Sequence, residues 1–181
     1  MQQVKIYYLN SNSFPSEGLS GFSEGRDFKS EKRMRQFCLG RFLIKHVLSS
    51  VYGVESPEIA LKNKKPYLVD GDVYFSLSHS KNIVMAAFAP FEVGLDIEFM
   101  RGRDFEAIYR YLKRRTDDGE KPDTETFYRF WTKYEAEIKL QKEPVSWFCT
   151  RFFDNFMLSV CAAEDVDVTP EIAKIQASDL F

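Results

Sequence analysis

Apolar and polar residues along this chain follow two periods, one typical of strands and one typical of helices. Residues 4–9 favour a strand, which ends at a run of asparagines and serines. From 30 to 51, apolar residues recur at helical spacing, and Ser30 is suited to cap the N-terminus of that helix. A second apolar stripe of helical period runs from 123 to 141. The pattern therefore predicts one strand and two long helices in these segments.

Short apolar runs predict further strands. Residues 83–89 are apolar almost without interruption, which at this length fits a strand covered on both faces, and 93–95 repeat that character. Two aromatic-rich strands are expected at 145–153 and 156–163, joined by a tight hairpin turn.

The remaining segments are less regular. Residues 14–26 contain a proline and several glycines, which predict a loop. Weak helical periodicity at 105–113 is followed by a polar loop at 114–126. The polar tail from 164 to 181 carries no predicted element.

Composition narrows the class of protein. Of the 181 residues, 44% are hydrophobic and 29% charged, as in ordinary soluble globular proteins. The net charge is −2, so we expect neither nucleic acid nor an anionic membrane as a partner. The three cysteines lie far apart among apolar residues, which favours reduced, buried thiols and a cytoplasmic location. A signal-peptide pattern and long apolar runs are both missing, so no membrane span is predicted.

Asp96 and Glu98 are the first candidate functional residues. Because side chains alternate across a strand, both carboxylates project to one face, while Ile97 turns to the other. Paired carboxylates at an otherwise apolar strand end gain from a hard cation such as Mg²⁺ or Mn²⁺. The alternative is a polar strand terminus that reaches solvent, which is the commoner origin of so short a pattern.

Ser78, His79 and Ser80 form a second polar cluster, where a predicted strand over 75–77 gives way to a turn. Two hydroxyls and an imidazole can donate several hydrogen bonds to a phosphate. A nucleophilic serine with its histidine is disfavoured, because adjacent strand residues point to opposite faces and no G-x-S-x-G pattern surrounds them. The plain alternative is a histidine whose hydrogen bonds are satisfied within the turn.

Basic residues are concentrated in two further places. Pro66 forces Lys65 into an extended conformation, in which it can offer a ligand its ammonium and its backbone amides. The first predicted helix carries five basic residues and one acidic residue, and Arg41 and Lys45 are among the basic ones. This local bias suits a phosphate-rich ligand, although a solvated polar face is the commoner explanation for any one of these residues.

Glu135 and Lys139 lie one turn apart on the second predicted helix, on the same line as Trp131. A surface ion pair worth about 0.5 kcal/mol at most is the simplest interpretation of that spacing.

Four motifs in this order resemble the Sfp-type phosphopantetheinyl transferases. They are KKPY at 64–67, FSLSHS at 75–80, VGLDIE at 93–98 and FWTKYEAEIK at 130–139. GRFLIKHVL and VCAA, at 40–48 and 160–163, are similar to the family's first long helix and last core strand. The resemblance thus covers most of the chain.

The resemblance implies an α+β fold of two similar halves, 1–90 and 91–181, related by an approximate twofold axis. Each half would be a long helix packed on a small antiparallel sheet, with a cleft between the halves. It also implies a monomeric enzyme that transfers the phosphopantetheine arm of coenzyme A, with Mg²⁺ or Mn²⁺, to a serine of an apo acyl or peptidyl carrier protein. Neither nucleic acid nor a membrane is expected to take part.

The resemblance also implies roles for single residues. Asp96, Glu98 and Glu135 match the family's metal ligands, and catalysis would rest on Glu135, Lys139 and Asp96. The matches to coenzyme A contacts are Lys65 and Pro66 for the adenine, Ser78 and His79 for the ribose phosphate, Lys139 for the pyrophosphate, and Arg41 and Lys45 for basic residues of the first helix.

The chain departs from the family pattern in three places. Tyr134 replaces a lysine before the glutamate, the region between Glu98 and Trp131 is shortened, and a glycine-rich turn after Lys139 is missing. These changes affect proton handling and carrier recognition, whereas every metal ligand is retained. The alternative hypothesis is therefore a degenerate relative that binds coenzyme A or a carrier protein without catalysing transfer.

Overall fold

The structure, a computed structural model, describes residues 3–102, 105, 108–109 and 123–180. The elements are β1 (Lys5–Asn10), α1 (Glu31–Ser50), β2 (Ile59–Lys62), β3 (Lys65–Leu68), β4 (Tyr74–Ser80), β5 (Ile83–Ala89), β6 (Val93–Phe99), α2 (Thr124–Leu140), β7 (Ser146–Phe152), β8 (Phe156–Ala162) and β9 (Glu171–Lys174), with short 3-10 turns at Ser11–Ser13, Leu19–Phe22 and Ala177–Leu180. The predicted α+β class is confirmed.

The first helix forms as the apolar spacing predicts. The Ser30 hydroxyl accepts a hydrogen bond from the Arg33 N–H at 3.3 Å and so caps the N-terminus of α1. The apolar face of α1 packs on the first sheet, where Leu39, Leu43 and Ile44 are fully buried. This contact forms the first of two main cores.

The first sheet has the strand order β4-β5-β1-β9. β5 pairs antiparallel with both β1 and β4, and all seven of its residues are buried, as predicted for a strand covered on both faces. β9 was missed by the sequence pattern, which leaves the tail without an element. It pairs parallel with β1, and the residue after it, Ile175, is buried in the first core. A four-residue strand has too little periodicity of its own and depends on the edge that β1 offers.

The second sheet has the order β6-β8-β7, with antiparallel pairing throughout. The predicted hairpin is β7–β8. Alternate residues of this sheet, such as Leu95 and Val160, pack against the first sheet, whereas Met157 and Cys161 face α2. The order of layers is therefore α1, first sheet, second sheet and α2.

The second long helix is also confirmed. Asp123 accepts a hydrogen bond from the Thr126 N–H at 2.7 Å and caps α2, which ends at Gln141 in a left-handed conformation. Thr124–Thr126, where the predicted loop and the predicted helix overlap, belong to the first turn of α2. Most of the segments at 105–113 and 114–126 lie outside the described residues.

Two predictions about the polar clusters are wrong. Ser78, His79 and Ser80 are inside β4 and not at a turn, because pairing with β5 continues to Ser80. Asp96 lies in the middle of β6 and is only 4% exposed, so the solvent-reaching strand terminus is excluded for it. Both corrections have one cause, since strand pairing continues through polar residues that find partners in a neighbouring layer.

Two further expectations concern the cysteines and the membrane. Cys38 and Cys161 are buried and Cys149 is half-buried, and all three thiols are free. Within the described part of the chain, neither helix is long and apolar enough to cross a bilayer.

Candidate functional site

The alternation of β4 divides its side chains between two faces. Ser76, Ser78 and Ser80 point towards β6, whereas Leu77 and His79 point towards α1. On the serine face, each hydroxyl accepts a hydrogen bond from a backbone N–H of β6. These bonds run from Leu95 to Ser76 at 3.0 Å, from Ile97 to Ser78 at 3.2 Å and from Phe99 to Ser80 at 2.9 Å. We call these three rungs the serine ladder.

A cluster of charged side chains, the carboxylate cluster, lies beside this ladder. Asp96 Oδ1 accepts hydrogen bonds from Ser78 Oγ at 2.8 Å and from Lys139 Nζ at 2.7 Å, and Lys139 Nζ also donates to Ser78 Oγ at 2.9 Å. Ser80 Oγ donates to Glu98 Oε2 at 2.8 Å. β4, β6 and α2 therefore contribute jointly to one polar site.

Glu135 belongs to this cluster on electrostatic grounds. Burial and the neighbouring Asp96 carboxylate raise the pKa of Glu135, while the Lys139 ammonium, one turn further along α2, acts in the opposite sense. A nearby cation would offset the free-energy cost of keeping a carboxylate charged in this environment. Asp96 and Glu135 are therefore close enough to interact, and Glu98 lies two residues further along β6 from Asp96.

The side chains of the carboxylate cluster are candidate ligands for a divalent metal ion. Asp96 Oδ2 is buried and has no hydrogen-bond partner among the described residues, which is costly for a carboxylate oxygen unless a cation approaches it. Hard oxygen ligands of this kind suit Mg²⁺. However, no three His, Cys, Asp or Glu side chains in the described ranges are grouped closely enough to hold a metal. In addition, the Lys139 ammonium is paired with the other oxygen of Asp96. The donor types suit a metal, but their present arrangement does not hold one, and a metal would have to share or displace the ammonium.

A pocket of about 560 Å³, the basic pocket, opens on the other face of β4. Among the described residues, its ionisable lining groups are all guanidinium, ammonium or imidazole groups: Arg26, Arg33, Arg41, Lys64 and His79. Arg41 is ion-paired with Glu24 at 2.9 Å and is therefore held in place at the pocket wall. Although the His79 side chain is solvent-exposed, the surrounding protein and the Lys139 ammonium lower its pKa. The pocket thus presents several donors to an anion, of which Arg41 is held in place by its ion pair.

Several known proteins have sequences similar to that of this chain. No family model matches the chain. The 4′-phosphopantetheinyl transferase Gsp of Aneurinibacillus migulanus is 24% identical over 78% of this chain and 74% of its own length. Sfp of Bacillus subtilis (strain 168) is 26% identical over 75% of this chain and 66% of its own length. HetI of Nostoc sp. is 28% identical over 62% of this chain and 54% of its own length.

Three further relatives carry the same enzyme name. The chain is thus similar in sequence to several 4′-phosphopantetheinyl transferases. The resemblance predicted from the four motifs is thereby confirmed, and the names of the relatives agree with the predicted enzyme class. The chain spans between about half and three quarters of the length of these transferases.

The structure separates the residues matched to the transferases' coenzyme A contacts. Arg41, Pro66 and His79 line the basic pocket together. Ser78 points away from that pocket, into the serine ladder, and Lys45 is half-buried on α1 without lining the pocket.

Lys65 has a different environment from the one its motif implies. Its Nζ donates to the backbone oxygens of Val93 at 3.3 Å and Leu140 at 3.4 Å, next to a second pocket of about 650 Å³. Burial lowers the pKa of Lys65. This lysine connects the β2–β3 hairpin to the start of β6 and to the last turn of α2.

Sequence reasoning did not single out several residues of the site. Lys64 was read only as part of a motif and Arg26 as part of a loop, and both line the basic pocket. Ser76 and Ser80 were not assigned their role in the ladder. Their signal is present in the sequence as serines at every second position of a strand, which places the hydroxyls on one face.

Proposed function

We propose that this chain transfers the phosphopantetheine arm of coenzyme A to a serine of an apo acyl or peptidyl carrier protein. One observation carries the proposal: the basic pocket and the carboxylate cluster lie on the two faces of one strand, β4, with His79 on one face and Ser78 and Ser80 on the other. The Lys139 ammonium lies 2.7 Å from Asp96 Oδ1 in the carboxylate cluster. Coenzyme A offers matching chemistry, with a ribose phosphate at one end and a pyrophosphate at the bond to be broken.

The basic pocket supplies the proposed binding site for the phosphates. Arg41, Lys64 and His79 can donate charge-assisted hydrogen bonds, which are stronger and shorter than neutral ones. Arg41 is pre-oriented by Glu24, so less side-chain freedom is lost when an anion binds. Pro66, on the same wall, offers an apolar surface to the adenine.

In this proposal Asp96, Glu98 and Glu135 hold Mg²⁺ or Mn²⁺. When bound, such an ion neutralises charge on the pyrophosphate during the transfer. Lys139 orients the pyrophosphate through its ammonium, which lies beside the same carboxylate. Asp96 Oδ2, buried and unpartnered among the described residues, is the strongest support for a cation at this position.

The proposed reaction balances without another reactant. The carrier serine oxygen forms a bond to the phosphorus that bears the pantetheine arm. The bond from that phosphorus to the bridging oxygen of the pyrophosphate breaks, which releases adenosine 3′,5′-bisphosphate. The serine proton passes to a base or to solvent.

We also propose that the two halves are related by an approximate twofold axis, with the substrate cleft between them. Apart from the β2–β3 hairpin in the first half and β9 in the second, each half has the order strand, long helix and hairpin. In both sheets the second strand of that hairpin pairs with the first strand of the half: β4-β5-β1 and β7-β8-β6. A monomer then supplies both sides of the cleft. The three free cysteines fit a reducing compartment such as the cytoplasm.

The test of the proposed reaction is incubation with coenzyme A, Mg²⁺ and a panel of apo carrier proteins that includes the host's fatty-acid carrier. Intact-mass measurement should show the added arm, and a chelator should prevent the addition. Asp96→Ala should slow transfer at least about a hundredfold, since each 1.36 kcal/mol or so of lost transition-state stabilisation costs a factor of ten. Asp165→Ala, which removes an exposed carboxylate after β8, is the matched control and should be silent. Binding of coenzyme A without transfer to any carrier would favour the degenerate-relative hypothesis instead.

The basic pocket is tested separately by calorimetry of coenzyme A binding. His79→Ala should weaken affinity by about 1 to 3 kcal/mol, the scale for a hydrogen bond to a charged group. His46, the other histidine, lies on α1 and packs against Phe42 away from the pocket lining, so His46→Ala is a control with the same chemical change. Equal affinities of the two variants would place coenzyme A elsewhere.

A further inference from the structure

The carboxylate cluster already contains a cation of its own, the ammonium of Lys139. Its Nζ lies 2.7 Å from Asp96 Oδ1 and donates a second hydrogen bond to Ser78 Oγ at 2.9 Å. Ser78 Oγ in turn donates to Asp96 Oδ1 at 2.8 Å, so the ammonium, the hydroxyl and the carboxylate form a closed triangle. The charge of Asp96 is therefore balanced within the protein before any ligand binds.

The carboxylates of the cluster are held by contacts within the protein and not around a common centre. Glu98 Oε2 accepts a hydrogen bond from Ser80, and Lys139 covers one oxygen of Asp96. In the part of the chain that the structure describes, no three His, Cys, Asp or Glu side chains are grouped closely enough to hold a metal ion. A positive charge in contact with Asp96 also repels a divalent cation. We therefore expect the free protein to bind such an ion weakly.

The two partners of the ion pair differ in how easily they can move. The Asp96 side chain is 5% exposed and belongs to a paired strand, whereas that of Lys139 is 28% exposed and has a flexible four-carbon stem. An ammonium has three protons, and Lys139 donates two of them to Asp96 and Ser78 within the described part of the chain. Lys139 is thus the partner that an anion from solvent can reach and draw away.

We propose that Lys139 is a built-in counter-ion that occupies Asp96 until the anionic substrate binds, so that the divalent ion binds together with coenzyme A and not before it. This inference rests on the function proposed above. The pyrophosphate of coenzyme A supplies the anion that takes the ammonium from Asp96. Asp96 Oδ2 is already buried without a partner among the described residues, so loss of the ammonium leaves a buried carboxylate unpaired. An unpaired buried charge is costly, and this cost favours the entry of another cation.

Such an exchange couples the two binding events. The factor by which coenzyme A raises the affinity for the metal equals the factor by which the metal raises the affinity for coenzyme A. Part of this coupling comes from direct attraction between a metal ion and the phosphates, which does not involve Lys139. The contribution of Lys139 is measured by removing it, because a chain without the ammonium has nothing to displace from Asp96.

The test is the binding of Mn²⁺ to the full chain, followed by electron paramagnetic resonance with and without coenzyme A. A blank without protein corrects for Mn²⁺ bound by coenzyme A alone. Lys139→Met removes the ammonium, and Lys139→Arg keeps the positive charge. Lys142→Met is the matched control, because it removes an ammonium that lies just beyond the same helix, is paired with Glu92 and is 57% exposed. Circular dichroism checks that each variant is folded during the titration.

We expect Lys139→Met to bind Mn²⁺ at least about tenfold more tightly than the wild type when coenzyme A is absent, because a positive charge beside Asp96 is removed. Lys142→Met should change this affinity less than about threefold, since solvent and salt screen an exposed charge. Lys139→Arg should remain closer to the wild type than to Lys139→Met. Coenzyme A should raise the Mn²⁺ affinity of the wild type by a factor at least about ten times larger than that of Lys139→Met.

Equal Mn²⁺ affinities of Lys139→Met and the wild type without coenzyme A would overturn the inference. The wild type alone gives a second check that does not depend on the folding of any variant: Mn²⁺ affinity that coenzyme A leaves unchanged overturns the inference as well. If the wild type transfers the arm to a carrier without this coupling, the proposed function stands and the counter-ion role fails. If the coupling depends on Lys139 but no carrier is modified, the counter-ion role stands and the proposed function fails.

Discussion

At the scale of single residues, the buried ion pair between Lys139 and Asp96 dominates the site. The Asp96 side chain is 5% exposed and that of Lys139 is 28% exposed, with 2.7 Å between Nζ and Oδ1. A buried ion pair adds little to the stability of a fold. Removal of one partner is strongly destabilising, because the other charge is then buried without a partner. Helical spacing suggested a surface pair of Lys139 with Glu135, whereas the structure directs the ammonium to Asp96 on β6.

Lys139→Met should therefore lower the free energy of unfolding by about 3 kcal/mol, because it leaves Asp96 charged and buried. The double variant Asp96→Asn, Lys139→Met should be more stable than the single one, and the difference can be measured by urea unfolding at neutral pH. Lys142→Met, which removes a mostly exposed ion pair with Glu92, is the control and should change stability by less than about 1 kcal/mol. Additive effects at Asp96 and Lys139 would show that the two charges are not coupled.

The cysteines give a second prediction at this scale. Burial is the main cause that raises the pKa of Cys161 to about 12, and the negative charge of Glu137 adds to it. Burial also raises the pKa of Cys38. Because only the thiolate is nucleophilic, both thiols should be inert at pH 8 in the folded protein.

A disulfide reagent at pH 8 should therefore label Cys149, which is half-buried, well before the other two. Peptide mass mapping after short exposure identifies the labelled residue, and labelling in urea provides the total of three thiols. Rapid modification of Cys161 without urea would show that α2 opens readily from the second sheet.

At the scale of elements, the contact between α2 and β6 determines where the α2 side chains meet the carboxylates of the strand. A Cβ placed on Gly94 would lie 2.1 Å from the backbone oxygen of Ala136 and 3.0 Å from Cys161 Sγ. Only glycine allows this approach, because the obstructing atom belongs to the helix backbone and cannot rotate away. Ala136 follows Glu135 directly, so the glycine also sets the position of the site residues on α2.

Gly94→Ala should thus displace α2 and destabilise the fold by about 3 kcal/mol or more, at the upper end of the range for overpacked sites. Gly21→Ala is the control, because nothing lies within 4 Å of its added Cβ. Thermal unfolding compares the two variants, and Mn²⁺ binding tests whether the displaced Glu135 belongs to the proposed metal site. A Gly94→Ala variant as stable as the wild type would mean that the α2–β6 spacing adjusts easily.

At the scale of the whole molecule, the last strand ties the end of the described chain to its beginning. β9 pairs with β1 in parallel from Lys5 to Tyr8, and the Ile175 N–H donates to the Tyr8 oxygen at 2.8 Å. Ile175 then packs into the core beneath α1. Without β9, the edge of β1 would be open to pairing with another chain.

Removal of residues 170–181 should consequently lower the urea midpoint of unfolding and promote association between chains. Removal of 176–181 alone should have little effect, because β9 and Ile175 remain. Urea unfolding and light scattering measure the two outcomes. Equal stability of both truncated chains would show that β9 adds nothing to the first sheet.

Local patterns were sufficient for the helices and for the β7–β8 hairpin. Both long helices carry their own signals, an apolar period and an N-cap side chain, and these act over a few residues. The same holds for β5, whose apolar run shows that both faces are covered. By contrast, β9 and the true extent of β4 depend on partners far away in the chain, so no local pattern could show them.

For the site, the order of amino acids specifies the chemical types: carboxylates on β6, serines and a histidine on β4, and a lysine on α2. Tertiary packing determined which atoms meet. It turned Ser78 towards Asp96 and away from the basic pocket, gave Lys139 a partner on β6, and engaged Lys65 with the Val93 and Leu140 backbone. The reason is physical: a side chain's residue type is encoded locally, whereas its hydrogen-bond partner depends on how sheets and helices pack across the whole molecule.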